Sequence, residues 1–224
     1  MDTAPRTQLQ AVLFDMDGLL VDTEPLWFEV ESGVMARLGG DWSPADQAKL
    51  VGGSLQATLD YLLGKARRPV PRDELAQWML DGMVSRVAAG PVHPRPGAAE
   101  LLAEVKAAGM PHALVTSSER VIMDAVLGIT GLEFAVTVCA EDVTRIKPDP
   151  EPYLLGTKLL GADPARSVAL EDSPNGVASA EAAGCRVIAV PNVTPVPPGP
   201  GRVIVGSLAE LSLARLGGLA AEPR

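Results

Sequence analysis

Residues 10–25 read QAVLFDMDGLLVDTEP, and the fold follows from how that stretch is read. Val12, Leu13 and Phe14 form a short apolar run of β-branched and aromatic character, as in a strand covered on both faces. The run stops at Asp15 and Asp17, one residue apart, with Gly18 directly after. A buried strand cannot hold two unpaired acids, because each desolvated charge needs a partner. The two acids therefore belong just past its end, where open parallel sheets place their ligands. Gly18 lets the backbone turn sharply and approach whatever sits there. Paired acids on such a turn suit a hard divalent cation, which takes oxygen ligands and accepts a phosphate oxygen among them.

Working outward, the 224 residues are 47% apolar, ample for a packed core and incompatible with global disorder. The net charge of −9 comes with no basic stripe, which excludes a nucleic-acid-binding surface. No apolar run is long enough to cross a bilayer, so no membrane partner is expected. Residues 1–9 lack a signal peptide's apolar segment and are expected to be a loose tail. Cys139 and Cys185 have no CxxC or Cys/His spacing and read as reduced core residues, which makes the cytoplasm the default compartment. His93 and His112 have no partner at ligand spacing.

After Glu24 the apolar period changes from strand to helix. Trp27, Val30, Val34, Met35 and Leu38 form one stripe, ended by Gly39-Gly40. Ser43-Pro44 opens a short helix, a third begins near Ser54, and residues 71–89 supply a fourth, with Leu75, Met79, Met83 and Val87 as its stripe. These are expected to form a small antiparallel helical bundle, residues 25–92, inserted into a core made of 1–24 and 93–224. In the insert, Gly52, Gly53 and Ser54 precede a helix start and are either an ordinary turn or a loop whose N–H groups meet an anion. Lys65, Arg67 and Arg68 read as a solvated helix end.

From Pro96 helix and strand alternate, the pattern of a doubly wound parallel sheet, giving an α/β, Rossmann-like fold with the helical insert. Three further strand ends carry chemistry. Thr116 ends the strand 112–116 and is either a helix cap or, with Ser117, a donor to a phosphoryl oxygen. Lys147 stands in RIKPDPEPY, where the prolines fix its backbone. Glu171 and Asp172 in LEDSPNG end a strand at 167–170, and two adjacent acids there again call for a cation.

Asp15, Asp17, Gly18, Asp22, Thr23 and Glu24 match in full the first motif, DxDGxxxDS/TE, of the haloacid dehalogenase superfamily, which the chain resembles. Thr116, Lys147 and the Glu171-Asp172 pair match its second, third and fourth motifs in order. The resemblance implies a helical cap of the β-phosphoglucomutase-like branch and a magnesium-dependent phosphatase acting on a small phosphate ester, a sugar or polyol phosphate, as a monomer. Asp15 would be the nucleophile, Asp17 the general acid and base, and Thr116 and Lys147 the electrostatic partners of the phosphoryl group. Mg2+ would be held by Asp15, the carbonyl of Asp17 and Asp172, with Glu171 a ligand directly or through water. Gly18, Ser117, Gly52, Gly53 and Ser54 would contact the substrate. A phosphosugar mutase is the nearest alternative, and a regulatory phosphate-binding module a non-enzymatic one. The chain departs from the mutase pattern at Trp27, where mutases of this branch carry a histidine, and at Leu55, where they carry an arginine for a second phosphate.

Overall fold

The computed structural model describes residues 9–220. The tail expected at 1–9 lies outside them up to residue 8; Leu9 is buried in the core, and Gln10 N–H donates to Arg166 O. Six parallel strands form one sheet: β1 (Ala11–Phe14), β2 (His112–Val115), β3 (Val136–Val138), β4 (Ser167–Glu171), β5 (Arg186–Ala189) and β6 (Arg202–Ile204). Their order is β3-β2-β1-β4-β5-β6, with β1 between β2 and β4 at the point where the order reverses. In a doubly wound sheet that reversal opens a crevice at the carboxyl ends of the strands. The acids after β1 and at the end of β4 are thereby brought side by side.

Side chains alternate across the sheet, as the two-residue strand period requires. Val12, Phe14, Leu114, Val168, Leu170 and Ile188 face one apolar layer, while Leu13, Ala113, Val115, Ala169, Val187 and Ala189 face the other. The first layer is covered by α5 (Ala98–Ala107) and α6 (Arg120–Thr130), the second by α7 (Glu151–Leu159) and α8 (Pro174–Ala182). Both faces of β1 are dry. Truncating Phe14 to alanine would cost about 3–5 kcal/mol in such a setting.

Between β1 and α5 run α1 (Glu24–Arg37), α2 (Pro44–Gln47), α3 (Leu55–Lys65) and α4 (Arg72–Ala89). Leu75, Met79, Met83 and Val87 of α4 are buried at helical spacing, as are Val30, Val34 and Met35 of α1, and α1 packs on α4. Ser43 and Asp46 form the capping box that starts α2, and Asp46 also accepts from Tyr61 (2.7 Å) and Lys65 (2.6 Å). Lys65 is thus part of the insert's own framework, while Arg67 and Arg68 are exposed, the solvated helix end expected of this cluster. Both cysteines are buried and neither is in a disulfide. One element has no counterpart in the sequence reading: α9 (Leu213–Ala220), which packs on α5. Among the described residues no helix is long and apolar enough to cross a membrane.

Candidate active site

The floor of the site is the carboxyl edge of β1 and β4. Asp15 N–H donates to Leu170 O (3.0 Å), so the ladder continues one residue past β1 and delivers the Asp15 carboxylate to the edge. Glu171, expected beyond its strand, is instead the last residue of β4, paired with Ala189 and wholly buried. A buried carboxylate is tolerated when its oxygens are hydrogen-bonded. Glu171 Oε1 accepts from Lys147 Nζ and from Tyr153 OH, both at 2.6 Å. Its Oε2 accepts from Asp172 N–H (3.2 Å) and Ser173 Oγ (3.4 Å).

Lys147 lies between the two strands' acids. Its Nζ donates to Asp15 Oδ1 (2.6 Å), Glu171 Oε1 (2.6 Å) and Val115 O (2.8 Å), and 5% of the residue is exposed. Burial disfavours its charge, but Asp15 and Glu171 outweigh burial and hold its pKa above the usual lysine value. Burial also pushes Asp15 well above the carboxylate range, with Lys147 opposing and Glu171 and Asp17 adding to the rise. Asp172 is pushed up to about 9 by burial, then by the charges of Asp15 and Glu171. Ligand atoms of Asp15, Glu171 and Asp172 lie within 4.8 Å of one another. Three acids around one lysine leave the site short of positive charge. This set of hard oxygen donors fits a divalent cation such as magnesium. With both Glu171 oxygens engaged by protein donors, Asp15 and Asp172 are the carboxylates best placed to meet an ion directly. Gly18 has φ +81°, and a Cβ there would overlap Asp172 Oδ2, so only glycine lets the turn pass this close to the acids.

Asp17 is held by three hydroxyls. Its Oδ1 accepts from Thr23 Oγ1 (2.5 Å), and its Oδ2 accepts from Ser118 Oγ (2.7 Å) and Thr116 Oγ1 (3.3 Å). Thr23 occupies the cap position of α1 without making a cap bond, because its hydroxyl serves Asp17 instead. Ser118 was not singled out from the sequence; its one signal is a hydroxyl two residues after Thr116. Thr116 Oγ1 accepts from Ser118 N–H (3.0 Å) in the turn after β2, and α6 starts only at Arg120, so Thr116 is not a helix cap. Ser117 Oγ is buried and makes no hydrogen bond among the described residues.

Above these groups lies a cavity of about 80 Å³, roofed by α1 and the α2–α3 loop. Val51, Gly52, Gly53 and Ser54 line it, and of the two readings left open for this loop the bonding at Gly53 and Ser54 fits the ordinary turn. Gly53 N–H donates to Leu50 O (2.8 Å) and is not open to an anion, and Ser54 Oγ caps α3 by accepting from Ala57 N–H (3.1 Å). Gly52 joins insert to core, its carbonyl accepting from Asn175 Nδ2 (3.0 Å). Glu24 of the first motif lines it too, and lining residues that the sequence did not disclose include Glu31, Gln47 and Glu119. Glu24 and Glu119 are each pushed up to about 7, in both cases chiefly by burial.

The haloacid dehalogenase-like hydrolase family matches residues 12–190 of the chain. Hexitol phosphatase B of Escherichia coli is 37% identical over 196 residues, 84% of this chain and 86% of that protein. N-acetylmuramic acid 6-phosphate phosphatase of Pseudomonas aeruginosa is 34% identical over 192 residues, 83% of each. The crystal structure of CbbY from Rhodobacter sphaeroides in complex with phosphate superposes with a TM-score of 0.84 at 31% identity, covering 92% of this chain and 98% of that one. The chain belongs to the haloacid dehalogenase-like hydrolases. Within that family it lies on the branch of the phosphomonoesterases.

Proposed function

We infer that the chain hydrolyses the phosphate monoester of a small neutral sugar or polyol, with Asp15 as nucleophile and the insert, residues 25–92, as a cap over the core. The observation that carries this reading is the floor of the cavity, where Asp15, Asp17 and Lys147 converge beneath Thr116 and Ser117. The Asp15 oxygen not held by Lys147 attacks phosphorus in line, and the bond from phosphorus to the alcohol oxygen breaks. Asp17, oriented by Thr23, Ser118 and Thr116, donates a proton to that leaving oxygen. It then takes a proton from the water that attacks the aspartyl-phosphate, releasing phosphate and regenerating Asp15. Lys147, Thr116, Ser117 and the Gly18 turn form the electrostatic cradle for the phosphoryl oxygens, and the unpartnered Ser117 hydroxyl is ready to donate to one of them. Asp15, Asp172 and the carbonyl of Asp17 would hold Mg2+, with Glu171 bracing them from behind. When bound, the ion supplies the positive charge that the three carboxylates lack and offsets that of the phosphoryl group.

The substrate class follows from the lining. Lys147 is the sole basic residue among those lining the cavity, and its three donors are committed to the floor. Leu55 and Trp27 face the cavity with no cation for a second phosphate or a carboxylate. This favours a phosphatase over a mutase that must grip a bisphosphate. We read the enzyme as a cytoplasmic monomer; its acidic net charge and unbridged cysteines support this. The test is hydrolysis of hexose, hexitol, glycolate and nucleoside monophosphates with magnesium and then with chelator. Phosphate release from the neutral hexose or hexitol esters is expected, with no interconversion of glucose 1- and 6-phosphates. Efficient interconversion without phosphate release would replace this reading by the mutase.

A further inference from the structure

Glu31 is a charge-bearing group in an enclosed place, and one of its two oxygens lacks a full hydrogen bond. It stands on α1, is 3% exposed, and its Oε2 makes no hydrogen bond among the described residues. It lines the same cavity as Asp15. A buried carboxyl oxygen without a donor costs stability, and a helix packed in a core has no use for one there. Leucine or methionine, which fill the equivalent buried positions of α4, would serve packing better. The Trp42 indole N–H is the donor beside it and helps to hold its charge, but the approach is too loose for a full hydrogen bond, and a single N–H cannot serve both carboxyl oxygens.

The surroundings specify what would satisfy it. Trp27 lies one helical turn before Glu31 on the same face of α1 and also lines the cavity, so a flat apolar ring adjoins the loosely held acid. A ring face beside a hydrogen-bonding carboxyl matches a carbon chain whose C–H faces stack while its hydroxyls point sideways. Gln47 and Glu24, which also line the cavity, already serve each other, Gln47 Nε2 donating to Glu24 O (2.7 Å) and Glu24 Oε2 (3.3 Å). Burial, then the charge of Glu24, pushes the Glu31 carboxyl up to about 8, with Trp42 opposing. A carboxyl that is neutral near pH 7 offers one donor and one acceptor, the complement of two adjacent hydroxyls. Apart from Lys147, which is committed to the floor, no basic residue among those described lines the cavity, so an anionic tail would find no free cation to pair with.

We propose that Glu31 is the specificity-determining residue of the insert, forming with Trp27 a subsite for the hydroxyl groups of a neutral polyhydroxylated chain whose phosphate sits at Asp15. The proposal rests on the phosphatase reading above and adds to it the residue that selects the alcohol.

The experiment compares the full-length wild type, Glu31→Gln and Glu31→Leu, with magnesium, on glucitol 6-phosphate and on p-nitrophenyl phosphate, which carries no hydroxyls. Thermal melts establish that each variant is folded, and Glu31→Gln keeps the shape should Glu31→Leu fail to fold. The readout is the ratio of kcat/KM for the hydroxylated ester to that for the aryl ester. Glu31→Leu should lower this ratio about 30- to 100-fold, mostly through KM, and Glu31→Gln should retain part of it. A ratio that stays within about threefold of wild type in both variants means that Glu31 acts only in packing and overturns the proposal. Wild-type hydrolysis of the aryl ester but of no sugar or polyol ester also overturns it while leaving the phosphatase reading intact. Hydrolysis of neither ester by wild type removes the phosphatase reading and the proposal with it.

Discussion

Replacing Lys147 with methionine removes the cation from a buried site that holds three carboxylates, while keeping most of the side chain's volume. Wild-type Nζ donates to Asp15, Glu171 and Val115 O, and nearly all of the residue is buried. Each bond to a carboxylate is charge-assisted and contributes about 1.5–3 kcal/mol. Losing two of them leaves Asp15, Asp172 and a fully buried Glu171 with no cation. Water entry and relaxation recover part of the cost, so a loss of about 3–5 kcal/mol at pH 7 is expected, typical of breaking a buried ion pair from one side. For a chain of this size that lowers Tm by roughly 6–20 °C. Calorimetry or urea titration in the presence of chelator reads the loss without help from a bound ion. The sign of the pH dependence is fixed by the acids left behind. Their folded-state pKa values stand above the unfolded ones, as Asp15 and Asp172 do already, so the folded variant gains stability as they take up protons. The gap to wild type should be widest near pH 7 and small near pH 4, and magnesium should narrow it. A loss below about 1 kcal/mol at pH 7, or an equal loss at both pH values, would refute the reasoning.

Three further outcomes follow from the same geometry. Gly18→Ala places a Cβ against Asp172 Oδ2 at a left-handed φ and should destabilise by about 1–3 kcal/mol while weakening the thermal response to magnesium; an unchanged melt would contradict it. Magnesium should raise Tm of wild type, and Asp172→Ala should abolish most of that rise; an equal rise in both would show that the ion binds elsewhere. Glu31, raised to about 8 in the fold, contributes stability that is fully present below about pH 4.5 and lost as pH climbs through 8. Glu31→Gln should therefore gain on wild type by about 3–5 kcal/mol between pH 5 and pH 9, and parallel stability curves would disprove the shift.

The residues that sequence disclosed and those it concealed divide along a physical line. Asp15, Asp17, Lys147 and Asp172 stand at strand ends or beside prolines, where an acid or a lysine conflicts with its local surroundings and so announces a purpose. Glu171 was readable as chemistry but not as strand, because a carboxylate inside a buried ladder depends on Lys147 and Tyr153, distant in sequence, to be tolerable there. Ser118 and Thr23 resemble helix caps in sequence, and only the packing of β2 beside β1 turns their hydroxyls onto Asp17. Glu31 looks like any polar residue within a helix; its burial is set by how α1 lies over the core, which no local pattern encodes. Gly53 shows the reverse case. A glycine pair before a helix suggests free N–H groups, yet the tight turn uses the Gly53 N–H internally on Leu50 O.

The central claim is that a covalent phosphoryl group forms on Asp15 during turnover. It is tested by acid-quenching the enzyme while it hydrolyses a phosphate-labelled hexitol ester, reducing the trapped protein with borohydride and mapping the peptides by mass. An acyl phosphate on Asp15 is reduced to homoserine, so the account predicts homoserine at position 15 in the peptide spanning β1 and the Gly18 turn, and only when substrate is present. Turnover with no homoserine there, or with the label on any other residue, would contradict it.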